Sequence, residues 1–203
     1  MRKDLVKAIK NHQAAFGIEL AEPAIERLAD YYDLIQEHNQ LLHLVAPMPA
    51  EEFAIRHILE SLTLLEHLPA NVRFADVGAG AGLPSIPCLI VREDLKAVLM
   101  ESNVKKAGFL TSAAERLGIA KRVQVFNRQF SEIDPGNCGF ITCRALDKFT
   151  EKLPGLLKWS KRRGLLLFGG NNIREALIRG KVKFDQKLMP MSQQRFLFTR
   201  NTN

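Results

Sequence analysis

Two rhythms of apolar and polar positions divide the chain. Up to about residue 70 the apolar side chains recur at helical spacing. In EPAIERLADYYDLIQEHNQLL, Ile25, Leu28, Tyr32, Ile35 and Leu42 fall on one stripe, opposite Glu26, Arg27, Asp30 and Asp33. That pattern predicts an amphipathic helix. Pro23 suits its first turn, where a missing N–H costs nothing. Pro47 and Pro49 interrupt the pattern, and AEEFAIRHILESLTLLEHL carries a second helical region that stops near Pro69.

From Val72 the rhythm changes to short apolar runs. VRFADV, KAVLME, RVQVF, GFITC and GLLLFG read as buried strands. LPSIPCLIVRED, NVKKAGFLTSAAERLG and DKFTEKLPGLLKWSK, which lie between them, read as helices. Alternation of this kind predicts βαβ units and a parallel sheet covered on both faces. Near the end, KVKFDQKLM and QRFLFTR, joined by PMSQ, form an expected antiparallel pair at the sheet edge. The expected fold is α/β, a mostly parallel seven-stranded sheet in residues 71–203, with an N-terminal helical extension in residues 1–70.

Composition narrows the setting. With 203 residues, 46% hydrophobic and 25% charged, the chain has the profile of one globular domain with a helical annex and the core of a monomer. Cys88, Cys138 and Cys143 are odd in number and lack metal-knuckle or redox spacing, which fits a reduced, cytoplasmic compartment. No apolar run reaches the roughly 18 residues of a membrane helix, and the charged N-terminal stretch lacks the apolar block of a signal peptide. The net charge of +7 is unevenly spread. Met1 to Cys143 holds 15 Lys+Arg against 18 Asp+Glu, whereas Arg144 onward holds 14 against 4. A cationic excess at one end points to a polyanion such as nucleic acid, with solubility as the plainer reading.

The chemistry centres on FADVGAGAGLPSIP. A strand, a glycine-rich turn and a helix opening at Pro84 form a nucleoside-binding geometry, in which backbone approaches a ligand and a helix N-terminus offers N–H groups. Asp76 precedes the first glycine, and Glu101 ends the next strand, 25 positions on, where an acid accepts ribose hydroxyls. A pyrophosphate would be repelled by Asp76, whereas the ammonium of S-adenosylmethionine suits it. Gly82 also comes one residue earlier than the third glycine of a dinucleotide turn, with Leu83 in its place. Both points favour S-adenosylmethionine over a nicotinamide dinucleotide.

With these residues assembled, the chain resembles the small-subunit ribosomal RNA methyltransferase G family (RsmG, or glucose-inhibited division protein B). HNQLLHLVAP is similar to the family's Asn-Lys-x-x-Asn-Leu-Thr segment and RHILESL to its His-x-x-Asp-Ser-Leu. DVGAGAGLPSIP resembles its Asp-Val-Gly-x-Gly-x-Gly-Leu-Pro-Gly-Ile-Pro signature, LMESNVKKAGFL its following strand end, and CRAL its (Ser/Ala)-Arg-Ala. The resemblance implies a class I, Rossmann-like methyltransferase that uses S-adenosylmethionine to methylate N7 of one guanine in 16S rRNA. It implies that Gly78, Gly80, Gly82 and Leu83 line the methionine and ribose end of the donor, with Glu101 and Ser102 at the ribose. The adenine segment, Arg-Ala-Glu in the family, is Arg128, Gln129 and Phe130 here, and Arg144 matches the arginine beside the donor and the reacting centre. Phe168 replaces the family's lysine, and His43 stands where a second Asn is usual.

An RNA-facing surface is expected from Asn39, Lys105, Lys106, Arg128, Lys161, Arg162 and Arg163, with an interior hydrogen bond as the other reading for Asn39 and a solvated face for Lys105 and Lys106. His57 and Glu60 lie three apart on a helix without a third ligand, so packing or capping outranks a metal. A non-catalytic RNA-binding or assembly protein that kept the fold is the reading from another class.

Overall fold

The computed structural model describes residues 1–161 and 163–200. Two helices open the chain, α1 (Arg2–His12) and α2 (Glu22–Leu42). The second predicted helical region is broken into α3 (Ala50–Phe53), a π-helical turn (Ala54–Leu59), α4 (Glu60–Leu62) and a 3-10 turn (Thr63–Glu66). Then follow β1 (Arg73–Val77), α5 (Ser85–Val91), β2 (Lys96–Met100), α6 (Val104–Arg116), β3 (Val123–Phe126) and β4 (Phe140–Arg144). The chain continues with α7 (Phe149–Ser160), β5 (Gly164–Gly169), α8 (Asn171–Arg179), β6 (Asp185–Leu188) and β7 (Phe196–Arg200).

The seven strands form one sheet in the order β3-β2-β1-β4-β5-β7-β6. The first five are parallel to one another, and β7 runs antiparallel to both β5 and β6. The expected edge pair is present, with the later strand inserted next to β5. The order reverses between β1 and β4, the switch point where the carboxyl ends of parallel strands leave a crevice. Helix α8 is not among the elements expected from the sequence. Ile173 and Leu177 recur one turn apart and bury against the sheet, but the nine-residue stripe is too short to stand out between two strands.

Alternate side chains of each strand enter opposite cores, which is why the strands read as continuous apolar runs. Phe74, Ala97, Leu99, Leu166 and Leu197 face α1–α6, while Ala75, Val77, Val98, Ile141, Cys143, Leu165 and Phe198 face α7 and α8. The N-terminal helices have no core of their own. Leu5, Ile9, Ile25, Leu28, Ile35 and Ile58 belong to the cluster that covers one face of the sheet. Polar ties reinforce the contact. Arg27 donates to the carbonyls of Ile90 and Leu117, and the buried Tyr31 hydroxyl donates to the Ala81 carbonyl at 2.8 Å. That last bond runs from α2 into the turn after β1.

Candidate active site

The turn between β1 and α5 is folded onto the end of β2. Gly78 and Ala79 N–H groups both donate to the Met100 carbonyl, at 2.9 and 3.1 Å, and Gly82 N–H donates to Ala79. Gly80 N–H donates to Glu101 Oε2 at 2.9 Å, and Glu101 Oε1 accepts from Asn103 N–H at 2.7 Å. The N–H groups of these three glycines are therefore engaged by the protein. What the turn offers a ligand is close backbone approach, not a set of free donors.

The glycines differ in what they make room for. All three have positive φ, +72° at Gly78, +54° at Gly80 and +91° at Gly82. A Cβ on Gly78 would meet Leu146 Cδ1 at 2.7 Å, and one on Gly82 would collide with Ile86 and press on Leu110. A Cβ on Gly80 would meet only the Gly78 carbonyl, at 3.8 Å. Gly82, expected at the donor, instead lets α5 and α6 close on the turn, whereas Gly80 faces open space.

Asp76 also departs from its expected place. It is fully buried beneath the turn, and its Oδ2 accepts from Ser85 Oγ at 2.6 Å, so it is absent from the walls of the cleft. Burial pushes its carboxyl up to about 7; the Ser85 hydrogen bond opposes this and nearby Glu101 adds to it.

Three adjoining cavities follow the carboxyl edge of the sheet. One of about 430 Å³ is lined by Leu44, Val45, His57, Gly78, Gly80, Leu83, Glu101, Ser102, Lys106 and Arg144. A second, of about 490 Å³, is lined by Gly78, Ser102, Arg128, Gln129, Phe130 and Lys152. The third, of about 510 Å³, is lined by Arg56, Glu60, Arg144, Phe168, Asn172, Arg195 and Phe196. Leu146 lines all three. It sits in the loop after β4, where Ala145 and Lys148 hold positive φ, a strained conformation that clusters at functional sites.

The third cavity is built from charge. Arg144, at the end of β4, donates from Nη2 to the Arg56 carbonyl at 2.6 Å and to Glu60 Oε2 at 3.3 Å. Arg195 Nε donates to the other Glu60 oxygen at 2.6 Å. The Arg144 guanidinium stands over the Phe168 ring, 5.3 Å from its centroid. Phe168 thus gives Arg144 an aromatic face where the family carries a lysine. His57 is driven down to about 3, first by burial and then by Arg144, Arg56 and Arg195, so it is neutral near pH 7. Neither of its ring nitrogens has a partner among the described residues.

The expected RNA-facing residues separate. Arg128 and Lys106 line the cleft, and Lys105 is exposed at the start of α6 beside it. Asn39 points inward, its amide donating to the Val45 carbonyl and accepting from the Val45 N–H, both at 3.0 Å. Those bonds hold the loop that carries Leu44 and Val45 into the cleft wall. Lys161 and Arg163 precede β5, whose Gly164 pairs with Phe140 at the start of β4, so they lie at the sheet edge opposite the cleft. Arg163 is further tied to the Cys138 and Gly136 carbonyls. Arg162 lies outside the described residues. No group of three metal-ligating side chains exists among the described residues. The sequence reading did not single out Arg56, Arg195 or the buried role of Glu60. Arg56 and Glu60 lie inside the RHILESL motif, which was a usable signal, while Arg195 had none.

Solved structures that share this fold include methyltransferases. A S-adenosylmethionine-dependent methyltransferase from Aquifex aeolicus matches 84% of this chain and 97% of its own with a TM-score of 0.58 at 16% identity. An RNA methyltransferase from Salinibacter ruber, in complex with S-adenosyl-L-homocysteine, matches 77% and 94% with a TM-score of 0.56 at 16% identity. At such identity they speak for the fold. Sequence goes further, since the ribosomal RNA small subunit methyltransferase G of Halorhodospira halophila is 36% identical over 84% of this chain and 81% of its own. A family model described as rRNA small subunit methyltransferase G (GidB) matches residues 24–187, and the chain belongs to that family.

Proposed function

We propose that this protein transfers the methyl group of S-adenosylmethionine to N7 of one guanine in small-subunit (16S) ribosomal RNA. The observation that carries the reading is the cleft at the β1/β4 switch point, with a glycine turn and Glu101 at one end and two arginines around Glu60 at the other. The residues fit the donor. Gly80 opens onto the space a nucleoside would fill, and Glu101, though spent on two N–H groups, keeps a further lone pair on each oxygen for ribose hydroxyls. In this reading Gly78, Gly80, Leu83 and Arg144 hold the methionine end, Glu101 and Ser102 the ribose, and Gln129 and Phe130 the adenine. Asp76 and Gly82 act from beneath by shaping the turn.

S-adenosylmethionine supplies a methyl on a sulfonium. Guanine N7 presents an in-plane lone pair and no proton, so the new N7–CH3 bond forms as the S–CH3 bond breaks, and no general base is required. The protein's work is alignment, exclusion of water and contact with the base edge. An arginine bidentate to O6 and N7 would block the attacking lone pair, so Arg144 meets O6, a phosphate or the donor's carboxylate.

The cationic residues Arg128, Lys105, Lys106 and Lys152 at the cleft mouth suit a polyanionic substrate. No described helix is long and apolar enough to cross a membrane. We further read residues 1–70 as the helical extension and 71–203 as the donor-binding unit of a cytoplasmic monomer. The test is incubation with isotopically labelled donor and small subunits from cells that lack this modification. Label should enter 16S rRNA; none there would overturn the reading.

A further inference from the structure

Glu60 is a carboxylate in an expensive place. It lies on α4 and is 1% exposed, and an anion so far from water persists only with charged, hydrogen-bonded partners. It has two, Arg144 from the end of β4 and Arg195 from the approach to β7. Both belong to the wall of the 510 Å³ cavity beside the donor cleft, where Arg56 contributes a third guanidinium. Arg195 engages Glu60 through Nε, its inner nitrogen, and Arg144 Nη1 has no partner among the described residues. Hydrogen-bonding capacity is thus left on both arginines.

Methylation of N7 leaves the guanine with a positive charge. Guanidiniums around that base oppose the transfer; Arg56 is paired with Glu52, and the buried Glu60 offsets the field of Arg144 and Arg195 while fixing both. We propose that Glu60 is a positioning residue for the acceptor base, holding Arg144 and Arg195 on the cavity wall and lowering the positive potential met by the guanine as it gains charge. This rests on the methyl-transfer reading above. Glu60 touches neither donor nor RNA, and its effect runs through the arginines. Replacing it by a neutral isostere therefore leaves the RNA site at least as cationic, so binding persists while turnover falls.

The experiment is steady-state methylation of small subunits lacking the modification by wild type, Glu60→Gln, Glu60→Asp, Arg195→Gln and the double variant Glu60→Gln/Arg195→Gln, with donor affinity measured by calorimetry without RNA. For Glu60→Gln, kcat should fall on the order of 30-fold while KM for the subunit does not rise and donor affinity stays within about twofold. Glu60→Asp should recover part of the loss, and the double variant should lose little more than Arg195→Gln. An active wild type whose Glu60→Gln variant keeps kcat would overturn the proposal. So would losses that multiply in the double variant, or a loss of donor affinity matching the loss of turnover. If Glu60→Gln does not fold, Glu60→Asp decides: lower kcat at unchanged KM and donor affinity supports the proposal, and unchanged kcat overturns it. An inactive wild type would instead be the failure of the methyl-transfer reading.

Discussion

The two ends of the cleft are built by opposite means. The donor end is backbone. Glycines with positive φ fold one turn against the Met100 carbonyl and the Glu101 carboxylate, and the chain from Asp76 to Glu101 supplies nearly all of it. The other end is side-chain charge. Arg56, Glu60, Arg144, Phe168 and Arg195 come from four separate segments, and a carboxylate out of water joins two of the arginines. A backbone site tolerates few substitutions within it but depends little on distant parts of the chain. A charge network tolerates surface change but fails when one member loses its counter-ion.

The sharpest break of this contrast is within the turn. Gly82→Ala forces a side chain onto Ile86 and Leu110 at φ +91° and should destabilise the fold by about 3 kcal/mol, read as a lower denaturation midpoint. Arg144→Ala should lower methyl transfer about 100-fold, close to 3 kcal/mol, with the protein still folded. Undiminished transfer would remove Arg144 from the reacting centre. Gly80→Ala separates folding from binding. Its Cβ meets open space, so stability should fall by only about 1 kcal/mol, while calorimetry should show a clear loss of donor affinity. Tyr31→Phe, on α2, tests whether the helical extension supports the turn. It strands the Ala81 carbonyl and should cost about 1–2 kcal/mol.

Two further effects are read in pH. Asp76, raised to about 7, favours folding in its protonated form. Its contribution is whole below roughly pH 4, the ordinary carboxylate value, and is lost as pH rises through 7. His57, lowered to about 3, acts in the other direction. Its contribution is whole above roughly pH 6.5 and is lost as pH falls toward 3. Asp76→Asn should therefore flatten the decline in stability on the alkaline side, and His57→Phe the decline on the acid side, both read from denaturation midpoints across pH.

That asymmetry also explains what was legible in the sequence. The turn, the strands and Glu101 announce themselves because their determinants are adjacent in the chain and repeat with the period of the structure. The charged end does not, because nothing local says that Glu60 turns inward or that Arg195 returns to meet it. Even the helix that carries Arg56 and His57 reads as regular, whereas a π-helical turn runs through both residues, and such turns are frequent at functional sites. Lys161 and Arg163 look like part of a phosphate-binding face by composition. Topology assigns them to the opposite edge, because a residue that precedes a parallel strand lies far from one that follows its neighbour. Asn39 shows the same limit at one residue, its amide spent on a loop carbonyl and N–H.

The claim that a guanine N7 is methylated without a general base is tested most directly by locating the methyl group on the RNA. Small subunits lacking the modification would be treated with the protein and donor, and the 16S rRNA reduced and cleaved with aniline, which cuts at N7-methylguanosine. A single new cut at one guanine, in stoichiometry with the methyl transferred, is the expected result. Methyl incorporated into the RNA with no such cut would contradict the account.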